Sequence, residues 1–155
     1  PPLLRPYTAD QVSLSASLPT HFLKQQLVEI LVQIIYSTPT GQKLSNVQVQ
    51  TDFYQGFRIS GYYRTFLGHT PFDIRLNLKA SPWDLFLEVA DARVTHWNLP
   101  MSWTVAHQLK KALSEKTPGV YLNRPSEVGI SIRSLSPEAQ FVIQSLRQLG
   151  LLAKI

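Results

Sequence analysis

The chain has 155 residues, of which 44% are hydrophobic and 16% are charged, and its formal net charge is +5. This length fits one domain that buries a continuous core without help, and the absence of cysteine excludes disulfide frameworks, thiolate metal sites and cysteine nucleophiles. The fifteen Lys and Arg are dispersed from Arg5 to Lys154 and form no basic stripe interleaved with aromatic residues, so nucleic-acid binding is not expected.

The amino-terminal residues are rich in proline and lack a hydrophobic period, which is typical of a leader or linker. We therefore expect residues 1–11 to be a leader or linker and residues 12–155 to form a single α+β domain. Because the chain begins with Pro1 rather than Met, we also expect a processed product whose upstream segment is a signal or a membrane anchor. Four apolar residues that alternate with polar ones then predict a short strand or extended segment: Val12, Leu14, Ala16 and Leu18.

A long amphipathic helix is predicted next, over the stretch THFLKQQLVEILVQIIYS. Thr20 follows Pro19 and can cap the helix, which should end before Pro39 and Gly41. Its main apolar stripe has helical spacing and consists of Leu23, Leu27, Ile30, Leu31 and Ile34. Val28 and Ile35 widen this stripe, so most of the helix circumference should meet apolar groups.

From Asn46 the hydrophobic period becomes two, which predicts four consecutive antiparallel strands. The predicted turns lie at 54–56, 67–69 and 80–82. On the third strand the apolar side chains alternate with polar ones without fault, so one face should be dry and the other wet. On the fourth strand the apolar phase shifts, which predicts a bulge near Ala90 that bends the sheet.

The pattern of the remaining residues predicts two further helices and additional strands. One helix covers about residues 101–116 and stops at Pro118-Gly119, and another begins at Ser136-Pro137-Glu138 and closes at Gly150. Between them, Val128, Ile130 and Ile132 alternate as in a strand, and Val120 and Leu122 can start another. The predicted fold class is α+β, with a curved antiparallel β-meander wrapped around the long apolar helix and two further helices.

A candidate ligand site follows from this architecture, because a half-rolled sheet around one helix often leaves an apolar groove open at one end. The stretch VTHWNLPMSWTVAHQL, residues 94–109, lies where the fourth strand passes into the second helix. Trp and Met suit a boundary between an apolar interior and lipid headgroups, although these side chains can also simply fill the core. The predicted ligand-binding residues are Leu23, Leu27, Ile30, Leu31, Ile34, Trp97, Leu99, Met101 and Trp103.

No catalytic or metal-binding constellation is predicted, so we expect no catalytic residues, no metal, no cofactor and no enzyme. The four histidines form no HExxH or His-x-His pattern. His107, Ser102 and Asp91 lack the GxSxG turn of a serine hydrolase. Asp84 and Glu88 fall on the same face of a predicted strand rather than across a cleft.

The order of segments resembles the YpmS-like and LmeA-like families of extracytoplasmic lipid-binding proteins over about residues 12–133. The segments that carry the resemblance are FLKQQLVEIL, NVQVQTDFYQGFRISGYYRTFLGHTPFDIRLNL, DLFLEVADARVTHWNLPMSW and EVGISI. In these families a strand ends in a Leu-Pro step that starts a helix, as HWNLPMSW does here. The resemblance implies binding without chemistry, and for the YpmS-like family a tether formed by an amino-terminal membrane helix.

The sequence therefore predicts non-enzymatic binding of lipid or another hydrophobic ligand at a membrane face. The predicted location is extracytoplasmic, with a membrane anchor upstream of Pro1, and a membrane surface or a protein are further candidate partners. The alternative is a protein–protein interaction or assembly module of the cell envelope that uses the Trp97–Trp103 rim and the apolar tail at 151–155. A large dry cavity favours the first function, and a filled core with exposed aromatic side chains favours the second.

Overall fold

Three α-helices are present in the computed structural model, which describes residues 18–51, 56–66, 68–94 and 99–154. They are α1 Leu18–Tyr36, α2 Ser102–Ser114 and α3 Pro137–Gln148, and two short 3-10 turns occupy Gly41–Lys43 and Ile132–Ser134. Helix α1 begins at Leu18, slightly before the predicted cap at Thr20. The strand predicted at 12–18 otherwise lies outside the described residues.

One sheet holds the strands together, and most of its pairings are antiparallel. The strands are β1 Leu44–Thr51, β2 Gly56–Thr65, β3 Gly68–Ala80, β4 Asp84–Val94, β5 Leu99–Pro100, β6 Val120–Arg124, β7 Glu127–Ser131 and β8 Ala153–Lys154. Six of them lie in the order β1-β2-β3-β4-β7-β6, while β5 pairs with β4 and β8 runs parallel to β3. The predicted α+β class, the four-stranded antiparallel meander and the two further helices are confirmed.

A bulge in β4 lies where the apolar phase of the sequence shifts. Arg75 is paired with Asp91 and Leu76 with Val89, so Ala90 is an extra residue with no partner on β3. Because of this extra residue, the strand position that faces the core is Ala92, which is 0% exposed, whereas Ala90 is exposed. The predicted bulge at Ala90 is confirmed.

The core lies on one face of the sheet, between the strands and the helices. Helix α1 packs mainly against α3 and also against β1 and α2. Even polar side chains of α1 are buried: Lys24 is 3% exposed and Gln26 is 9% exposed, whereas Gln33 is exposed. The most completely buried aliphatic side chains come from α1, the sheet, α2 and α3, and include Leu27, Leu31, Leu78, Leu85, Leu87, Leu113, Ile143 and Leu146. Each contributes about 1.5–3 kcal/mol through removal of its apolar surface from water.

The opposite face of the sheet is polar and carries a network around Lys79. The Lys79 ammonium lies 3.2 Å from a carboxylate oxygen of Glu88 and 3.3 Å from one of Glu127. Asn123 donates a hydrogen bond of 2.6 Å to Glu127, and Asn77 donates one of 3.3 Å to Glu88. Glu127 is only 2% exposed, so its charge depends on these partners.

The β2–β3 hairpin extends past its neighbouring strands. Strand β1 reaches β2 as far as Tyr63, and β4 reaches β3 as far as Phe72. Within the described part of the chain, Arg64 and Thr65 therefore pair only with His69 and Gly68 across the hairpin. We give the name hairpin tip to the described residues at this end of the hairpin, which are Arg64, Thr65, Phe66, Gly68 and His69.

Candidate functional site

The predicted ligand-binding residues of α1 divide into core and surface positions. A side chain that borders an empty space as wide as an acyl chain keeps surface that water can reach. Leu27 and Leu31 are 0% and 1% exposed, so in this conformation they have no surface for a ligand. Ile30 is 7% exposed, and Leu23 and Ile34 are half-buried. Of the five, Ile30 and Ile34 line an open cleft.

This cleft has a volume of about 460 Å³ and lies along one face of α1, between the end of α2 and the start of α3. We call it the α1 cleft; its lining residues are Ile30, Gln33, Ile34, Ser37, Lys116, Thr117, Ser134, Leu135, Ser136 and Glu138. Two hydrogen bonds tie α1 and the turn that follows it to the neighbouring helices. Gln26 donates one of 2.9 Å to Glu138, and Thr40 donates one of 2.8 Å to Glu115. The walls are part apolar and part polar.

The predicted rim residues lie where β4 passes into α2. Leu99 pairs with Val94 in the short strand β5, and the Met101 amide donates a 2.9 Å hydrogen bond to the Ala92 carbonyl. Met101 is half-buried, whereas Trp103 is 64% exposed and its ring lies 5.9 Å from that of His107, centroid to centroid. Trp97 lies outside the described residues. Trp103 is therefore a surface side chain of α2.

Within the described part of the chain, Trp103 and the cleft-lining residues of α1 lie in two separate regions. Trp103 is in the first turn of α2, while Lys116 and Thr117, which line the α1 cleft, follow its last turn. At about 1.5 Å per residue, the length of α2 separates the two positions by roughly 20 Å. Trp103 therefore does not line the cleft at Ile30 and Ile34.

The hairpin tip is a surface that the sequence patterns did not single out. Phe66 is 96% exposed, and the exposed side chains of Arg64 and His69 flank it from the two strands. The Thr65 hydroxyl donates a 3.1 Å hydrogen bond to the Gly68 carbonyl, and Gly68 has a φ of 105°, which favours glycine. Turns usually carry Gly, Asn, Asp or Ser, so Phe66 in a turn is the signal that points to this surface.

The electrostatic surroundings of the hairpin tip are basic. The sequence has no Asp or Glu between Asp52 and Asp73. The Arg58 guanidinium donates a hydrogen bond to Asp73, which lowers the pKa of that carboxyl. Burial acts in the opposite direction, and the positive charges of Arg58 and Arg75 lower the pKa further. Asp73 is thus neutralised by Arg58, with a distance of 2.7 Å between Nε and Oδ1. Arg64 forms no ion pair within the described ranges, so it leaves a net positive charge at the tip.

Among the residues whose positions are described, no group of three His, Asp or Glu side chains is arranged to hold a metal ion. In the same part of the chain, no helix combines the length and apolar character needed to span a bilayer.

Comparison with known proteins adds no further constraint. No family model, curated protein or solved structure matches the chain. The function is therefore argued from the residues themselves.

Proposed function

We propose that this protein is a non-enzymatic binder of anionic membrane surfaces, which inserts the hairpin tip among lipid headgroups. The observation that carries the proposal is the 96% exposure of Phe66 between Arg64 and His69. A large apolar side chain held out in water is typical of an interaction site when it is rimmed by polar groups. The surrounding positive charge selects an anionic bilayer as the partner.

The proposed partner is lipid, as the sequence predicts, but the proposed contact lies on the surface of the protein and not in its interior. Leu27 and Leu31 are packed in the core and offer no surface, while Phe66 offers almost its whole side chain. The curvature of the sheet around α1 remains part of the proposal, and the contact of α1 with β1 supports it.

The strength of such binding can be estimated from its parts. Transfer of the Phe66 side chain out of water contributes about 2 kcal/mol. Arg64 and Lys43, which lies 6.0 Å from the Tyr63 ring at this end of the sheet, contribute about 1 kcal/mol each near an anionic surface. The total of about 4 kcal/mol corresponds to weak, reversible binding in the millimolar range. Stable attachment at the proposed extracytoplasmic membrane face then needs a second signal besides the hairpin tip.

Flotation with phosphatidylglycerol vesicles tests the proposal through the variant Phe66→Ser. We expect the vesicle-bound fraction to fall about tenfold, because roughly 1.5–2 kcal/mol of apolar transfer energy is lost. The fold should be unaffected, since Phe66 makes almost no buried contact.

The matched control is Phe141→Ser on α3, which removes another exposed phenylalanine, 69% exposed, from a different surface. Its vesicle binding should equal that of the unaltered protein. The proposal would be contradicted if Phe66→Ser bound vesicles as well as the unaltered protein does, or if Phe141→Ser lost as much binding as Phe66→Ser.

A second candidate function, a protein-interaction module, is favoured by a separate surface. Trp83 is 65% exposed, and the Arg133 guanidinium lies 5.6 Å from the centre of its ring. Burial, together with the charge of Asp84 and a hydrogen bond to it, raises the pKa of the neighbouring Tyr121. Trp, Tyr and Arg are the residues most enriched at binding hot spots.

A photo-crosslinking amino acid at position 83 tests this second candidate in cells that express the full-length protein. We expect a discrete adduct from position 83 and none from position 141. An absence of adducts at position 83 would contradict the interaction module and leave the membrane proposal unaffected.

A further inference from the structure

The α1 cleft has an apolar wall that the membrane proposal does not use. Ile30 and Ile34 are one turn apart on α1, and Leu135 faces the cleft from the segment before α3. Ile30 and Leu135 are each 7% exposed, and Ile34 is half-buried. The cleft volume of about 460 Å³ is in the range of small-molecule sites, which are commonly about 300–1,000 Å³.

A cation and hydroxyl groups line the same cleft. In the described part of the chain, the exposed Lys116 ammonium has no carboxylate within ion-pair distance. The adjacent Thr117 is 8% exposed and lines the cleft. The Ser136 hydroxyl accepts a 3.2 Å hydrogen bond from the Ala139 amide, so its own proton remains free to be donated. The Lys116 ammonium and the adjacent Thr117 can neutralise and hydrogen-bond an anionic head.

The acidic groups near the cleft make its walls differ in charge. Glu138 lines the cleft and is hydrogen-bonded to Gln26, which lies one turn before Ile30. Glu115 does not line the cleft, and it accepts a hydrogen bond from Thr40, beyond the other end of α1. Lys116 lines the cleft from the segment after α2, whereas Glu138 lines it from the first turn of α3, so the cation and the carboxylate belong to different walls. An anion is therefore favoured beside Lys116 and disfavoured beside Glu138.

We propose that the α1 cleft binds a single-chain anionic amphiphile, of the class of a medium-chain fatty acid. Its carboxylate contacts Lys116, and its alkyl chain lies on Ile34, Ile30 and Leu135. This site is separate from the hairpin tip and would supply binding of a hydrophobic ligand, which contact with a membrane surface does not provide.

Calorimetric titration of the full chain with decanoate, below its micelle concentration, tests the site. We expect saturable one-to-one binding, with decyltrimethylammonium, which has the same chain length and the opposite charge, binding at least tenfold more weakly. Lys116→Glu should weaken decanoate binding at least tenfold and reverse the preference between the two ligands. Gln33→Trp adds bulk from an exposed position of α1 and should weaken binding of both.

The matched control is Lys111→Glu, which makes the same charge change on the exposed face of α2 away from the cleft. It should leave the decanoate affinity within twofold of that of the unaltered protein. No saturable binding, or an equal loss in Lys116→Glu and Lys111→Glu, would overturn the proposal. Phe66→Ser should bind decanoate normally, so failure of this site and failure of membrane docking are distinguishable.

Discussion

Two glycines of the sheet show how the surroundings of one residue decide what a substitution does. A Cβ atom on Gly56 would lie 1.7 Å from the Leu76 carbonyl oxygen, which belongs to the backbone of β3. A Cβ atom on Gly129 would lie 2.4 Å from the Tyr121 ring, which covers this glycine from the edge strand β6. Tyr121 is 37% exposed and can turn away, whereas the backbone of β3 is held by strands on both sides.

We therefore predict unequal effects of the same change at the two positions. Gly56→Ala should lower the free energy of unfolding by about 3 kcal/mol or more, because two paired strands must separate. Gly129→Ala should lower it by less than about 1 kcal/mol, because only a surface ring moves. Urea denaturation of the two variants measures the difference, and similar losses would show that Tyr121 is held as firmly as the backbone.

At the scale of single residues, the sequence predicts burial better than exposure. The helical period placed Leu27 and Leu31 on the buried stripe of α1, because burial follows from repetition along one element. The exposure of Phe66 and Trp103 depends on which elements pass beside them. That information is not contained in the period of the surrounding residues, so Phe66 was not among the predicted site residues.

Strands β3, β4 and β7 are joined on their polar face by the Lys79 network. Glu127 is 2% exposed, and its carboxylate is bound by Lys79 and Asn123. Removal of one partner from a buried ion pair leaves an unpaired charge, which is more destabilising than the loss of the pair as a whole. The network therefore makes the centre of the sheet sensitive to the loss of Lys79.

We predict that Lys79→Met lowers the free energy of unfolding by about 2 kcal/mol. This loss is smaller than that expected when one partner of a fully buried ion pair is removed, because the Lys79 side chain is 24% exposed. The double variant Lys79→Met with Glu127→Gln should recover part of this loss, since no buried charge remains. Thermal or urea unfolding of both proteins provides the measurement. A double variant less stable than Lys79→Met alone would show that the buried charge is not the cause.

At the scale of elements, the hydrophobic pattern predicted the features that depend on residues close together in the chain. Alternation identified the meander, and the phase shift identified the bulge at Ala90. The sequence did not reveal that β7 pairs with β4 while β6 forms the edge, because alternation shows which face is buried and not which strand is adjacent. The parallel pairing of the short strand β8 with β3 was missed for the same reason.

The stability of the whole molecule should depend on pH through its paired carboxylates. Burial raises the pKa of Glu88, but hydrogen bonds from Lys79 and Asn77 and the charges of Lys79 and Arg124 outweigh it and lower the pKa overall. The hydrogen bonds from Arg58 lower the pKa of Asp73, although that pair is exposed and contributes little. A carboxyl with a lowered folded pKa stabilises the fold above its unfolded pKa, about 3.9 for Asp and 4.3 for Glu.

We therefore predict that the free energy contributed by these groups is constant between pH 7 and about pH 5 and is lost as the pH falls through about 4. Urea unfolding at a series of pH values measures this loss. Glu88→Gln should reduce the dependence on pH more than Asp73→Asn, because Glu88 is the less exposed of the two. A larger effect of Asp73→Asn would show that the exposed pair dominates.

Across the whole molecule, the structure places Trp103 and the cleft-lining residues of α1 in different regions. The sequence placed the apolar residues of α1 and the Trp103 rim in one groove, whereas the length of α2 lies between Trp103 and the α1 cleft. Residue types alone suggested lipid, but the position of any lipid contact depends on which aromatic groups the packed core leaves outside. Phe66 and the α1 cleft became candidates only when the fold was known.

Contact of the hairpin tip with lipid is measured most directly with a label at position 66. Because the chain contains no cysteine, Phe66→Cys carries a single environment-sensitive fluorophore. The control, Trp83→Cys, places the same label beyond the far end of β3, whose 13 residues extend roughly 40 Å. With phosphatidylglycerol vesicles, the emission of the label at position 66 should shift to the blue and brighten, while the label at position 83 should not change. An unchanged label at position 66, or an equal shift at both positions, would contradict membrane insertion through the hairpin tip.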